Sequence, residues 1–94
     1  MELLKKCQDL IKDLEELNHR YDQLREKQNE AKSQEQKEKY YVQEFNLCME
    51  IASIHEDLME NIDYLERFEN MDFICNRFRR RAEGMMKSGV INVK

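Results

Sequence analysis

LLKKCQDLIKDLEELNHRYDQLREKQNEA, residues 3–31, decides the fold. Leu3, Cys7, Leu10, Leu14, Leu17, Tyr21, Leu24, Gln28 and Ala31 follow one another in alternating steps of four and three. That is a heptad seam, with Leu3, Leu10, Leu17, Leu24 and Ala31 at d and Cys7, Leu14, Tyr21 and Gln28 at a. Leu4 and Ile11 widen it on one side. The flanks are charged, with Lys12 four residues from Glu16 and Asp22 four from Glu26; such pairs attract or repel by only a few tenths of a kcal/mol. The stretch is an amphipathic helix built to lie against another helix.

Beyond Leu24 the seam weakens. Gln28 is polar, the next positions in register are charged, and residues 28–39 hold one alanine and no other apolar residue. The spacing predicts a turn near residues 32–36, with Ser33 as the N-cap of a second helix. From Tyr40 the pattern resumes on a wider face. One stripe is Tyr41, Phe45, Cys48, Ala52, His55, Met59 and Ile62. Its neighbour is Leu47, Ile51, Ile54, Leu58, Ile62 and Leu65. Two adjacent stripes suit a helix with more than one neighbour, as in a bundle. Past Leu65 the stripe continues as Phe68, Met71, Cys75, Phe78 and Ala82, and Gly84 is positioned to end the helix.

The expected organisation is therefore a first heptad helix over 1–31, a polar turn or linker over 32–39, a long second helix over 40–83 with a basic end, and a tail over 84–94. The fold class is all-α, a helical hairpin or coiled coil assembled with other chains into a bundle. At 1.5 Å per residue the second helix overhangs the first by about 20 Å. That overhang carries Leu65, Phe68, Met71, Phe73, Ile74, Cys75 and Phe78, more apolar surface than a single chain usually exposes. The expectation is that another chain covers it.

Composition agrees. The 94 residues contain no Pro and two Gly, and 38% are charged, a balance typical of long helices. The net charge of -4 is unevenly spread. Residues 1–34 carry seven basic and eight acidic side chains, 35–76 three and eleven, and 77–94 six and one, giving -1, -8 and +5. Such polarity orients one chain against another. Cys7, Cys48 and Cys75 are odd in number, widely spaced and on apolar stripes. They read as small hydrophobes in a reducing compartment, cytosol or nucleus, with peripheral attachment to organelle membranes also open. No apolar run approaches the ~20 residues of a membrane helix.

Chemistry has little foothold. A metal site on a helix needs ligands three or four residues apart; Cys48 and His55 are seven apart, so His55 reads as a core or interface histidine and His19 as solvated. Paired carboxylates such as Glu15 and Glu16, or Glu56, Asp57 and Glu60, adjoin no Gly-rich loop or nucleophile motif. They read as a solvated face. No enzyme, cofactor, metal or small-molecule substrate is expected. Arg77, Arg79, Arg80 and Arg81 form the sharpest charge feature. A helix end pairing with acids is preferred over an anionic-lipid or nucleic-acid surface. Val90, Ile91 and Val93 suit a short docking strand, with a frayed terminus as the default.

Tyr41-Val42, then Leu58, Asn61, Leu65 and Phe68, then Arg79-Arg80-Arg81-Ala82 and Ser88-Gly89-Val90, together resemble the Snapin family of SNARE-associated coiled-coil subunits. The likeness covers roughly residues 40–90. It departs from the family in the turn, which lacks the expected proline, and in the Ala82 to Ser88 spacing, longer by two residues. The resemblance implies a non-catalytic subunit that bundles laterally with sister helices in elongated complexes of lysosome-related organelle biogenesis and lysosome positioning.

The function expected from the residues is that of a non-catalytic coiled-coil subunit or adaptor binding partner helices. A hetero-oligomer is favoured over a homo-oligomer. The interface is expected at Leu10, Leu14, Leu17, Leu24, Ile51, Ile54, Leu58, Leu65, Phe68 and Phe78. The alternatives are a nucleic-acid or anionic-lipid adaptor using Arg77–Arg81, and a helical chaperone for a client helix.

Overall fold

The computed structural model describes residues 2–86. It contains three helices: α1 (Glu2–Glu30), α2 (Gln34–Glu69) and α3 (Asp72–Met86). The all-α hairpin expected from the stripes is present, and a third helix is added to it.

The first turn is tight. Ala31 N–H donates to Gln28 O at 3.2 Å, closing α1, and only residues 31–33 separate it from α2. Ser33 sits at φ -103 and ψ 151, and its Oγ accepts from the Gln36 N–H at 3.2 Å. This is the N-cap expected for Ser33, satisfying one of the free donors at the helix start. The second helix nevertheless begins at Gln34 and not at Tyr40. Residues 34–39 are all exposed, and Gln, Glu and Lys have enough intrinsic helix propensity to hold a solvated turn once it is capped.

The single long helix expected over 40–83 is broken. Asn70 adopts φ 53 and ψ 37, the left-handed conformation. Asparagine tolerates that conformation better than other non-glycine residues and often stops a helix there. Asp72 in the first turn of α3 then complements the positive end of the new helix dipole. The Cys75 N–H bonds to Met71 O at 3.0 Å as α3 starts. At the far end the helix passes through Gly84 to Met86, so Gly84 does not end it. The part of the expected tail beyond Met86, with Val90, Ile91 and Val93, lies outside the described residues.

After the elbow α3 folds back antiparallel to α2 and lies parallel to α1. Arg79 reaches Glu66 and the Cys75 thiol points at Ile62 O, 3.6 Å away. On the other side Arg81 pairs with Glu15, and Asn18 Nδ2 donates to Met85 O at 3.4 Å. The result is an elongated body of 53 × 22 × 17 Å. At one end three helices share a core of Cys7, Ile11 and Leu14 from α1, Leu58, Ile62 and Leu65 from α2, and Cys75, Phe78 and Ala82 from α3. At the other end α1 and α2 pair alone, burying Leu17, Tyr21, Leu24 and Ile51.

This corrects the expectation that a second chain covers the overhang. The chain covers most of it with its own α3: Leu65, Cys75 and Phe78 are buried, and Met71 and Ile74 pack partly against the core. One left-handed residue costs roughly 1–2 kcal/mol at most, while burying Phe78 alone returns about 1.5–3 kcal/mol. Replacing Asn70 with Ala should lower unfolding stability by about 1 kcal/mol, whereas Asn70→Gly should leave it unchanged or raise it. Urea melts of both variants check this. A loss with Gly as large as with Ala would mean the left-handed geometry is not what Asn70 supplies.

Candidate helix-docking surface

Of the ten residues expected at a partner interface, seven close on one another inside this chain. Leu14, Leu17, Leu24, Ile51, Leu58, Leu65 and Phe78 are buried, and Leu10 and Ile54 are partly buried at the edge of the core. The seven buried side chains are not available to a partner of the folded chain, while Leu10 and Ile54 keep part of their surface open. Phe68 alone stands out in solvent.

The apolar surface left open is different. Tyr41, Val42, Phe45 and Met49 are each more than half exposed, from 57% to 67%. At 100° per residue they form one strip along the outer face of α2. Cys48 and Ala52 continue it, the first half-buried and the second exposed. Tyr41, Glu44, Phe45 and Cys48 line a shallow hollow on this face. The second exposed group sits at the α2–α3 elbow. Tyr64, Phe68 and Phe73 are exposed there, with the Tyr64 and Phe68 rings 4.7 Å apart and tilted at 43°.

A polar clasp separates the strip from α1. Tyr21 donates its hydroxyl to Glu44 Oε1 at 3.0 Å, and Gln28 Nε2 donates to Glu44 Oε2 at 2.7 Å. Arg25 Nη1 donates to the Tyr21 oxygen at 3.0 Å and lies 3.8 Å from the carboxylate. Burial pushes the Tyr21 hydroxyl above its ordinary pKa, so it stays protonated and keeps donating. The clasp pins α1 on the Leu47–Ile51 side of α2, and the Tyr41–Phe45 side receives no helix among the described residues. The Leu47–Leu65 stripe is therefore core and the Tyr41–Ala52 stripe is surface.

The arginine run divides. Arg79 holds both oxygens of Glu66, one at 3.0 Å, and this bond draws the Glu66 carboxyl below its usual pKa. Arg81 pairs with Glu15. These two fasten α3 to α2 and to α1. Arg77 and Arg80 are exposed and make no ion pair among the described residues. Pairing of the basic helix end with acids thus occurs within the chain.

The remaining reactive groups are subdued by burial. Cys7 and Cys75 are fully buried free thiols in the three-helix core. Burial, with the neighbouring Cys75 adding to it, lifts Cys7 from 9.0 to about 11. Between pH 9 and 11 the folded chain keeps a proton that the unfolded chain releases, so this thiol's contribution to stability falls as pH rises. His55 is half-buried and its pKa is lowered by that burial, which keeps it neutral at pH 7. Among the described residues no three His, Cys, Asp or Glu side chains are placed to hold a metal ion. No helix among them is long and apolar enough to cross a membrane.

Sequence reasoning placed Tyr41, Phe45 and Cys48 on a contact stripe but did not separate that stripe from the core stripe beside it. The signal that separates them is size and branching. The core stripe is Leu and Ile throughout, which fill a helix–helix seam, while its neighbour mixes Tyr, Phe, Cys, Ala and His. No family model, curated protein or solved structure matches this chain.

Proposed function

We propose that this chain is a non-catalytic helical subunit or adaptor, which docks helices of other proteins onto its exposed aromatic faces within a multi-protein assembly. The observation that carries the reading is the Tyr41–Met49 strip. Four large apolar side chains stand in solvent on one helix face, while the chain has filled its own core with other residues. Contiguous patches of this kind mark interaction surfaces. The elbow aromatics Tyr64, Phe68 and Phe73 supply a second, separate contact. The Snapin resemblance supplies the setting, vesicle or lysosome-related trafficking on the cytoplasmic side of organelles. The phosphate-binding alternative is weakened because Arg79 and Arg81 are already paired with acids of this chain, the second of them at the surface, which leaves Arg77 and Arg80 as the arginines of the run without an ion pair among the described residues.

Phe45→Glu tests the reading. The side chain is exposed, so the variant should keep wild-type helicity and melting. It should lose co-purifying partners that the wild-type chain retains, since a charge at the centre of a desolvated contact costs about 2 kcal/mol or more. Partners retained by Phe45→Glu and equally by Phe68→Glu would count against docking through either face.

A further inference from the structure

We infer that one occupant of the α2 strip is a second copy of this chain, paired antiparallel about a two-fold axis between Phe45 and Cys48. The inference rests on the reading of that strip as a docking surface and names its partner.

The spacing along the helix is what points to a second copy. Lys37, Tyr41, Phe45, Cys48, Ala52 and Glu56 lie on one face of α2 at intervals of four, four, three, four and four. These intervals read the same from either end. A two-fold rotation therefore sets Tyr41 of one copy over Ala52 of the other, Phe45 over Cys48, and Lys37 over Glu56. Tyr41 and Phe45 each meet a small side chain, and Lys37 meets its opposite charge. A two-fold interface requires this kind of self-complementarity. Parallel pairing does the reverse, placing Tyr41 on Tyr41 and Glu56 on Glu56.

Five of the six side chains are free to make these contacts, and the sixth, Cys48, packs on one side against the core while lining the open hollow on the other. Lys37, Tyr41, Phe45, Ala52 and Glu56 are exposed and Cys48 is half-buried. Lys37 and Glu56 enter no ion pair among the described residues. Small residues at Cys48 and Ala52 let the two helix backbones approach closely, so that Tyr41 and Phe45 seat over them.

Sedimentation equilibrium of the full chain, from micromolar to millimolar concentration, tests the proposal. A monomer–dimer equilibrium is expected. Lys37→Glu or Glu56→Lys alone should raise the dimer dissociation constant about tenfold, because each replaces two attractive pairs with two repulsive ones. The double variant should return it to near the wild-type value. Ala52→Gln keeps a good helix former at an exposed site, so circular dichroism should not change, yet it should abolish the dimer by filling the seat of Tyr41. A folded chain that stays monomeric throughout, a dimer indifferent to Ala52→Gln, or a double variant no better than the singles would each overturn the pairing. A monomer whose Phe45→Glu variant still loses a foreign partner would overturn self-pairing and leave the docking surface standing.

Discussion

Leu58→Asp should leave the chain unfolded at 25 °C. Leu58 is fully buried, between Ile62 and Leu65 on its own helix and the core of the three-helix end. Truncating such a leucine to Ala costs about 2–5 kcal/mol through lost transfer energy and the cavity left behind. Asp adds an unpaired charge, which the site cannot satisfy without opening. A domain of this size has roughly 5–15 kcal/mol of total stability, so the sum reaches the threshold. The far-ultraviolet helical signal should collapse for Leu58→Asp, and Leu58→Ala should melt cooperatively at lower temperature. If Leu58 instead served a partner helix, Leu58→Asp would remain a well-folded monomer that had lost only its binding. Wild-type helicity and melting in that variant would remove Leu58 from the core.

The second large effect concerns α3. A chain ending at Asn70 lacks Cys75, Phe78 and Ala82, and the faces of Cys7, Ile11, Leu58, Ile62 and Leu65 that meet them become exposed. Loss of the Phe78 contact alone is worth about 1.5–3 kcal/mol of burial, and the new patch joins α1 to α2 along the hairpin. The shortened chain should melt without a sharp transition, bind a hydrophobic dye, and self-associate. Adding a peptide of residues 72–86 should restore the transition. A shortened chain that is monomeric and melts as sharply as the full one would show that α3 lies against the hairpin without holding it together.

Most of the fold was legible in the stripes. Cys7, Leu14, Leu17, Tyr21 and Leu24 of the α1 seam are buried where periodicity put them, Leu3 and Leu10 only partly so, and Ile11 beside the seam is buried with them; Ser33 caps α2 as its hydroxyl suggested. The elbow was not legible. Leu65, Phe68, Met71, Cys75, Phe78 and Ala82 keep helical phase across Asn70, so periodicity runs through the break unmarked. The break needs one residue in the left-handed region, and Asn followed two positions later by Asp is a weaker signal than Gly or Pro. The surface was half legible for another reason. Both stripes on α2 are apolar, and the choice between them is made by the Glu44 clasp with Tyr21, Arg25 and Gln28, a contact between residues distant in sequence.

That clasp also closes a short loop of chain. Tyr21 and Glu44 are 23 residues apart and Gln28 and Glu44 16 apart, while Glu66 and Arg79 are 13 apart. Both short hairpins, one at each end of α2, close small loops. The seam between α1 and α3 ties residues 66 and 67 apart, Glu15 to Arg81 and Asn18 to Met85. Closing that longer loop costs about 1 kcal/mol more in chain entropy than closing the shorter ones, a cost that falls away where α2 already holds both helices alongside. The central helix is thus the shared partner of its two flanking helices, and their mutual contact draws on the proximity it imposes.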